Sequence, residues 1–352
     1  MVTIKDIAQR AGVSRGTVDR VLHDRGKVSP QKAEKIRRIA DEMGYQPNIA
    51  GRGLAARKKH LKLGFVYIKS EHTPFHSVIY ESAKQYAQEL EQYGVSVTFF
   101  GLEPDKYSGS FKDCGNPMLY NMFHSQKMDG WAVVGTLGNV IKQTVEESGS
   151  ETAPIVVYNM DEDVENKLAF VGCDYVQSGR LACGIAALLT KDRAHVGIVS
   201  MDDGSIQSSM ARVAGFETEV KERYPQIQIV AKHFVENSKK GREEFSMKVY
   251  QMLEEHKDID VLYLLNPGDY SVCQMVRRAG ATRDVRIITN DLVTDWQREM
   301  VKNGTIDVAI CQEPEKQGVK PLEILFNYLA LGIEPETLWY KTELSVRIGQ
   351  NV

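Results

Sequence analysis

The spacing of apolar residues along this chain changes near residue 60. Before that point they recur every three or four positions, which is the spacing of an amphipathic helix. Helices are predicted at 4–11, from 15 to about 23, and from 30 to about 43. Thr3 and Ser14 can cap the first two, and Ser29-Pro30 joins a capping residue to a proline at the first helical position of the third. We therefore predict a small all-α domain over 1–47 and a linker over 48–60.

From residue 61 onward, short apolar runs of strand length alternate with amphipathic segments. This alternation is typical of parallel sheets with helices on both faces, and its length favours two α/β lobes within 61–352. Strands are predicted at 61–68, 95–100, 130–134, 155–158, 195–199, 227–231, 261–265, 286–289 and 308–311. Helices are predicted at 78–93, 179–189, 213–224, 244–256, 272–279 and 315–331.

Composition narrows the class of protein. Hydrophobic residues make up 42% of the chain and charged residues 26%, as in globular proteins. No apolar stretch approaches the roughly 20 residues of a membrane span. Charges throughout the first twenty residues leave no apolar core for a secretory signal. The five cysteines are widely spaced, without C-x-x-C or zinc spacing, so we expect reduced thiols in a cytoplasmic protein with no membrane partner.

The net charge of −3 conceals an asymmetry. Residues 1–60 hold fourteen Lys and Arg against six Asp and Glu, a net charge of +8, which leaves −11 on the remaining residues. A basic N-terminal segment, 1–60, followed by an acidic remainder suggests that this segment binds a polyanion. A solvated helical surface would give the same charge, so charge alone leaves both interpretations open.

The first two predicted helices are joined by a turn at Gly12, which fits a helix-turn-helix. An ordinary helical hairpin would show the same pattern. The run from Thr3 to Leu54, however, resembles the DNA-binding headpiece of LacI/GalR-type bacterial transcription regulators. The resemblance rests on the helix-turn-helix, on Val28-Ser29 before the third helix, and on Gly44-Tyr45 and Pro47-Asn48 before the linker.

The rest of the chain resembles the effector-binding core of that family, which is itself similar to type I periplasmic sugar-binding proteins. The resemblance implies a helix-turn-helix headpiece followed by a two-lobed α/β core. It also implies a transcription regulator, a repressor, that binds operator double-stranded DNA as a homodimer. Its partner would be a small-molecule effector such as a sugar or a sugar derivative.

The resemblance further implies roles for residues of the headpiece. Arg15, Gly16 and Arg20 would face the bases in the major groove, where Arg can bond both acceptors of guanine. Asp19 replaces the usual serine, and either accepts from a cytosine amino group or pairs with an arginine, which we favour. Groups expected at the phosphates are Thr3, Ser14, Thr17, His23 and Asn48.

The linker is expected to order only on DNA. By resemblance, Leu54 would enter the minor groove and kink the duplex. Gly51 and Gly53 disfavour a helix in the free protein. Residues 51–56 also fit the G-x-G-x-x-A dinucleotide fingerprint, but they precede the first strand instead of following one, so we reject that interpretation.

Polar residues stand where several predicted strands end. Open α/β sheets bind ligands beyond the carboxyl ends of their strands. Asn159, Asn266, Asp291 and Gln312 follow strands, and Arg212 stands at the start of a predicted helix. Singly, such residues are usually loop caps; together they offer the planar donors and acceptors that sugar hydroxyl groups require.

The resemblance sharpens this prediction. Arg212, Asn266, Asp291 and Gln312 match positions that contact ligand in sugar-binding relatives. Asn159 and Met160 replace the charged pair of ribose-binding relatives, which makes a ribose-like mode doubtful. Phe75 and His76 follow the first core strand, where Phe75 either stacks on a sugar or packs in the core.

The absence of common catalytic motifs from the sequence points away from an enzyme. The sequence contains no G-x-S-x-G, H-E-x-x-H or Walker A motif. His72 and His76 have the i,i+4 spacing of a metal pair, but Pro74 between them disfavours a helix. We expect Asp202 and Asp203 to form a turn. The sequence thus predicts no cofactor and no metal. Two alternatives stay open: a sugar-processing enzyme with a fused DNA-binding head, and a solute-binding protein.

Overall fold

The computed structural model describes residues 4–22, 28–43, 59–69, 74–103, 127–135, 153–164, 166–202, 206–266, 270–279 and 284–352. The predicted helical headpiece is present. Its helices are α1 (Ile4–Ala11), α2 (Arg15–Leu22) and α3 (Pro30–Glu42). The Ser14 hydroxyl accepts from the backbone N–H of Thr17 at 3.1 Å, which confirms Ser14 as the cap of α2. The mini-core consists of Ile7, Ala8, Ala11, Val18, Val21, Ile36, Ile39 and Ala40.

The first lobe, which we call the N lobe, is a sheet of six strands that are parallel throughout. In chain order they are β1 (Lys62–Ile68), β2 (Ser96–Leu102), β3 (Gly130–Val134), β4 (Ile155–Tyr158), β5 (Lys167–Gly172) and β11 (Trp339–Lys341). Their order in the sheet is β11-β5-β4-β3-β1-β2. Two packed helices, α4 (Pro74–Glu91) and α10 (Pro314–Leu331), cover one face. The central strands are apolar along their whole length because both faces of a parallel sheet are buried.

The second lobe, the C lobe, is built on a second six-stranded sheet. Its strands are β6 (Ala194–Ser200), β7 (Ile227–Phe234), β8 (Val261–Asn266), β9 (Arg286–Asn290), β10 (Val308–Cys311) and β12 (Ser345–Arg347). Their order in the sheet is β12-β10-β9-β8-β6-β7, in which only β12 is antiparallel. Its helices are α5 (Tyr175–Thr190), α6 (Gln207–Glu222), α7 (Lys239–Glu255), α8 (Ser271–Ala279) and α9 (Asp295–Lys302). Along β8, Leu262 and Leu264 enter one core cluster, and Tyr263 enters the other on the opposite face.

The chain passes between the lobes at 173–174, 312–313 and 342–344. These three crossings lie between β5 and α5, between β10 and α10, and between β11 and β12. Two sheets joined in this way place the carboxyl ends of their parallel strands on the same cleft. No helix within the described ranges is long and apolar enough to cross a membrane.

Several local predictions require correction. The pattern missed β5, β11, β12 and α9; β11 and β12 have only three residues each, too few to show a period. Pro74 does not prevent a helix: it is the first residue of α4, where its missing N–H is tolerated. Arg212 lies within α6, which begins at Gln207, and not at the start of a helix.

Candidate ligand site between the lobes

The cleft between the lobes holds a cavity of about 120 Å³, which is room for several water molecules. The N lobe contributes residues from the first turn of α4 and from the end of β4. The C lobe contributes residues from α6 and from the ends of β8 and β9. The structure brings together all seven residues predicted from the sequence, which are Phe75, His76, Asn159, Arg212, Asn266, Asp291 and Gln312.

Arg212 is the buried cation of this cavity, with 6% of its surface exposed. Its guanidinium lies over the ring of Tyr175, 4.6 Å from the centroid, and its Nε donates to the Ser178 hydroxyl at 3.4 Å. A Cβ at Gly179 would overlap the backbone carbonyl of Arg212, so α5 and α6 cross with their backbones in contact. The first turn of α5 therefore fixes the direction of the Arg212 side chain.

Asp291 is the carboxylate of the cavity. The backbone of Asp291 lies in the left-handed region, with φ 61°. Two hydrogen bonds of 2.9 Å hold it there: the N–H of Asp291 donates to the carbonyl of Ile310, and the Tyr270 hydroxyl donates to the carbonyl of Asp291. Oδ2 accepts from Nε2 of Gln312 at 2.8 Å, whereas Oδ1 is buried and has no hydrogen-bond partner among the described residues. An acceptor left in this state requires a donor from water or a ligand.

The electrostatics of the cavity follow from burial. Burial raises the pKa of Asp291 to about 6, although Arg212 and the hydrogen bonds from Gln312 lower it in part. Burial lowers the pKa of His76 to about 4, so its imidazole is neutral near pH 7. Among the described residues that line the cavity, Arg212 is the one cation, Asp291 is the one carboxylate, and His76 is a neutral ring.

Amide side chains link the two lobes behind the cavity. Asn159 donates through Nδ2 to Oε1 of Gln317 at 3.2 Å, and Gln317 donates through Nε2 to the backbone carbonyl of Gln312 at 3.1 Å. Gln312 in turn bonds Asp291 and accepts from the Cys173 thiol at 3.1 Å. The Tyr175 hydroxyl completes the link with a 2.9 Å bond to the Asn159 carbonyl.

Phe75 packs against the N-lobe core and also lines the cavity, so core packing is confirmed and stacking on a sugar stays a prediction. Its ring lies edge-on to His76, with centroids 5.6 Å apart. One wall of the cavity therefore offers an apolar face opposite the charged groups of the C lobe.

Several residues that line the cavity were not predicted from the sequence. Tyr175 and Ser209 lie in the first turns of α5 and α6, the helices that follow β5 and β6, and the rule used for strand ends would have found them. Asp202 is 1% exposed and accepts from the hydroxyls of Ser200 and Ser209, whereas Asp203, the other acidic residue of the predicted turn, lies outside the described residues. The other missed residues are Ile206, Ser208, Leu265, Tyr270, Asn290, Val293 and Gln297.

The headpiece carries a second candidate site on α2. Arg15, Gly16 and Arg20 are exposed, as contact with DNA bases requires. Ser14 and Thr17 lie at the start of α2, where their hydroxyls are 2.9 Å apart. Thr3, His23, Asn48, Leu54 and the side chain of Asp19 lie outside the described residues, as does the proposed partner contact of Asp19.

A metal site finds no support in the part of the chain that the structure describes, where no group of three potential ligands occurs. His72 lies outside the described residues, so the spacing of His72 and His76 stays untested.

Fold and cleft together define a periplasmic-binding-protein-like core that follows a helix-turn-helix headpiece. The family described as "Bacterial regulatory proteins, lacI family" matches residues 3–48, and "Periplasmic binding protein domain" matches residues 63–333. The chain belongs to the LacI family of bacterial regulatory proteins.

Curated relatives support this assignment. The chain is 25% identical over 221 residues to the HTH-type transcriptional regulator DegA of Bacillus subtilis (strain 168), covering 62% of this chain and 61% of DegA. It is 29% identical over 199 residues to catabolite control protein A of Priestia megaterium, covering 56% of this chain and 55% of that protein. These matches span less than two thirds of either relative's length.

Solved structures show the same fold. A glucose-galactose binding protein, GanP, from Geobacillus stearothermophilus has a TM-score of 0.69 at 23% identity, covering 83% of this chain and 98% of its own. A putative LacI transcriptional regulator from Bacteroides fragilis has a TM-score of 0.69 at 19% identity, with coverage of 83% and 98%. The two-lobed core predicted from the sequence is thus confirmed.

Proposed function

We propose that this chain is a transcription repressor whose affinity for operator double-stranded DNA is set by a small carbohydrate-like effector. The cleft carries the proposal, because residues from both lobes and from one crossing converge on a cavity with an unsatisfied carboxylate oxygen. The net charge of +8 on residues 1–60 and the exposed arginines of α2 support DNA as the second partner.

The donors and acceptors of the cavity fit a polyhydroxyl ligand. A hydroxyl group both donates and accepts, so one sugar hydroxyl can donate to Oδ1 of Asp291 while another accepts from Arg212. Amides at Asn159, Asn266 and Gln312 can bond further hydroxyls, and Phe75 can pack against the apolar face of a sugar ring. A ligand with these contacts replaces water around buried charged groups that otherwise need it.

Coupling to DNA follows from the two lobes. A ligand that bonds both lobes binds the closed form more tightly, and so shifts the population toward it. In a homodimer, closure would shift the subunit interface and thereby the spacing of the two headpieces on a palindromic operator. The linker over 48–60 would order or loosen in response.

A thermal-shift screen against a carbohydrate library, followed by calorimetric titration, tests the cleft. D-Arabinose and D-tagatose belong in the library because similar solute-binding proteins were solved with them. We expect at least one carbohydrate to bind the parent protein and to lose affinity by about 2 kcal/mol or more in Asp291→Ala, as for a lost hydrogen bond to a charged group. Full effector response in Asp291→Ala would refute this site.

Operator binding in the presence and absence of that carbohydrate tests the regulatory half. The affinity should depend steeply on salt, since Lys and Arg contacts release counterions. It should change when the effector is added, and sedimentation should show a dimer. Turnover of the carbohydrate would instead favour an enzyme with a DNA-binding head.

A further inference from the structure

Gln317 lies in the first turns of α10 and is fully buried, yet it does not line the cavity. Both ends of its amide are engaged, one with the Asn159 side chain of the N lobe and one with the backbone of Gln312 in the second crossing. A buried polar side chain that contacts neither solvent nor the cavity must have its hydrogen bonds satisfied internally, and here they connect two residues that do line the cavity.

Gln312 is held at three points. Its carbonyl accepts from Gln317, its Oε1 accepts from the Cys173 thiol at 3.1 Å, and its Nε2 donates to Oδ2 of Asp291 at 2.8 Å. The thiol selects one orientation of the amide: with Oε1 toward the thiol, the NH₂ group faces the carboxylate. The reversed amide would place Oε1 against the Asp291 carboxylate, two acceptors facing each other.

We propose that Gln317 is a positioning residue for the ligand cleft, which acts through Gln312 to turn Asp291 so that Oδ2 is bonded and Oδ1 is left for the ligand. This proposal deepens the proposed function because it concerns the same cleft. The bonds run from the N lobe through the crossing to the C lobe, so a rotation of the lobes at this crossing would disturb Asp291.

The titration of Asp291 in the ligand-free protein reports on this arrangement. Donation from Gln312 favours the charged carboxylate, so its loss raises the pKa of Asp291. The charged and titratable groups near Asp291 are unchanged by the substitutions at Gln312 and Gln317. They are Arg212 on α6, Arg298 on α9, Glu313, Glu315 on α10, Arg347 on β12, Tyr175, Cys173, Cys311 and Tyr270. The readout needs no effector, so it is independent of whether a carbohydrate binds.

The experiment measures the free energy of unfolding by urea between pH 5 and pH 8. For each variant, the free energy of unfolding is compared with that of the same variant carrying Asp291→Asn. The pH at the midpoint of this difference reports the titration of Asp291. The variants are Gln317→Met, which keeps the length of the side chain without its hydrogen bonds, and Gln312→Met, which removes the side-chain donor and retains the backbone N–H of residue 312. Leu325→Ala is the control, because it destabilises the same helix from the N-lobe core without contact with the amides.

We expect the midpoint to rise by about one pH unit or more in Gln312→Met, since a hydrogen bond to a charged group is worth that much. Gln317→Met should raise it by at least about half a unit, because the indirect effect is a fraction of the direct one. Leu325→Ala should lower stability equally at every pH and leave the midpoint unchanged. An unchanged midpoint in Gln317→Met, or an equal shift in Leu325→Ala, overturns the proposal.

Cys173 provides a second test if Gln317→Met does not fold. Cys173→Ala removes the donor that selects the amide orientation, whereas Cys173→Ser retains a hydroxyl donor. We expect a raised midpoint in Cys173→Ala and the parent midpoint in Cys173→Ser. Equal midpoints in Cys173→Ala and the parent would overturn the role of the thiol in holding the Gln312 amide against Asp291. A parent protein without any Asp291-dependent titration would overturn the proposal as a whole.

Discussion

Replacing Asp291 by asparagine should make the ligand-free protein more stable at neutral pH. Asparagine has nearly the same shape, and its Oδ1 can still accept from Gln312. What it removes is the buried charge whose desolvation raises the pKa of Asp291 from 3.8 to about 6. A group with a raised folded-state pKa stabilises the protein most below its unfolded-state pKa, and that stability is lost as the pH rises through the folded-state pKa.

The size of the effect follows from the shift. Two pH units correspond to roughly 3 kcal/mol at 1.36 kcal/mol per unit, which is the upper limit of the gain in Asp291→Asn well above pH 6. The gain should fall as the pH is lowered through 6 and vanish only well below pH 3.8, where the wild-type carboxyl group is neutral in both the folded and the unfolded state. The same variant should bind its effector poorly, as expected where binding requires an unsatisfied charge.

Urea denaturation at pH 5, 6, 7 and 8 measures this difference directly. Asp295→Asn is the matched control: the same chemical change is made on a fully exposed side chain, where the effect should stay within about 0.5 kcal/mol at every pH. A difference between Asp291→Asn and wild type that does not vary with pH would show that Asp291 is not desolvated as the structure implies.

Two further substitutions test the headpiece and the helix crossing. Arg20→Ala should weaken operator binding by about 1–3 kcal/mol and relax the preference at one base position, and identical base preferences in Arg20→Ala and the parent across an operator library would exclude base contact. Lys32→Ala, at an exposed lysine of α3 for which no base contact is predicted, is the control and should leave the base preference unchanged. Gly179→Ala should destabilise the protein by about 1–3 kcal/mol and weaken effector binding, because the new methyl group displaces the backbone of Arg212. Gly184→Ala on the same helix meets nothing within 4 Å and should stabilise by up to about 1 kcal/mol, so equal effects of the two variants would contradict the crossing geometry.

Periodicity predicted the fold well where an element is long enough to show a period. The apolar strands other than β5, and the long helix α10, were found to within a few residues. The three-residue strands β11 and β12 were missed, since their pairing is fixed by neighbouring strands and not by their own sequence. Helix α9 is short and polar, and its start depends on a capping box between Thr294 and Gln297.

The candidate site was predictable to a different extent. Residues at strand ends were found because the topology of a parallel sheet brings such ends together. The role of Gln317 could not be predicted, because the sequence pattern of α10 does not distinguish a buried amide that bonds the crossing at Gln312 from an amide that faces water. The partners of Arg212 depend in the same way on how closely α5 and α6 cross, which no spacing along the chain reveals.

The division of chemistry between the two lobes has a kinetic consequence. Among the described residues that line the cavity, the two charged groups, Arg212 and Asp291, belong to the C lobe, whereas the N lobe supplies Phe75, a neutral His76 and Asn159. An arriving ligand can make its strongest contacts with the C lobe while the cleft is open, and the N lobe then closes over it. Association should therefore follow the charges of the C lobe, and residence time should follow the contacts of the N lobe. Changes at Phe75 should shorten residence while leaving the association rate nearly unaltered.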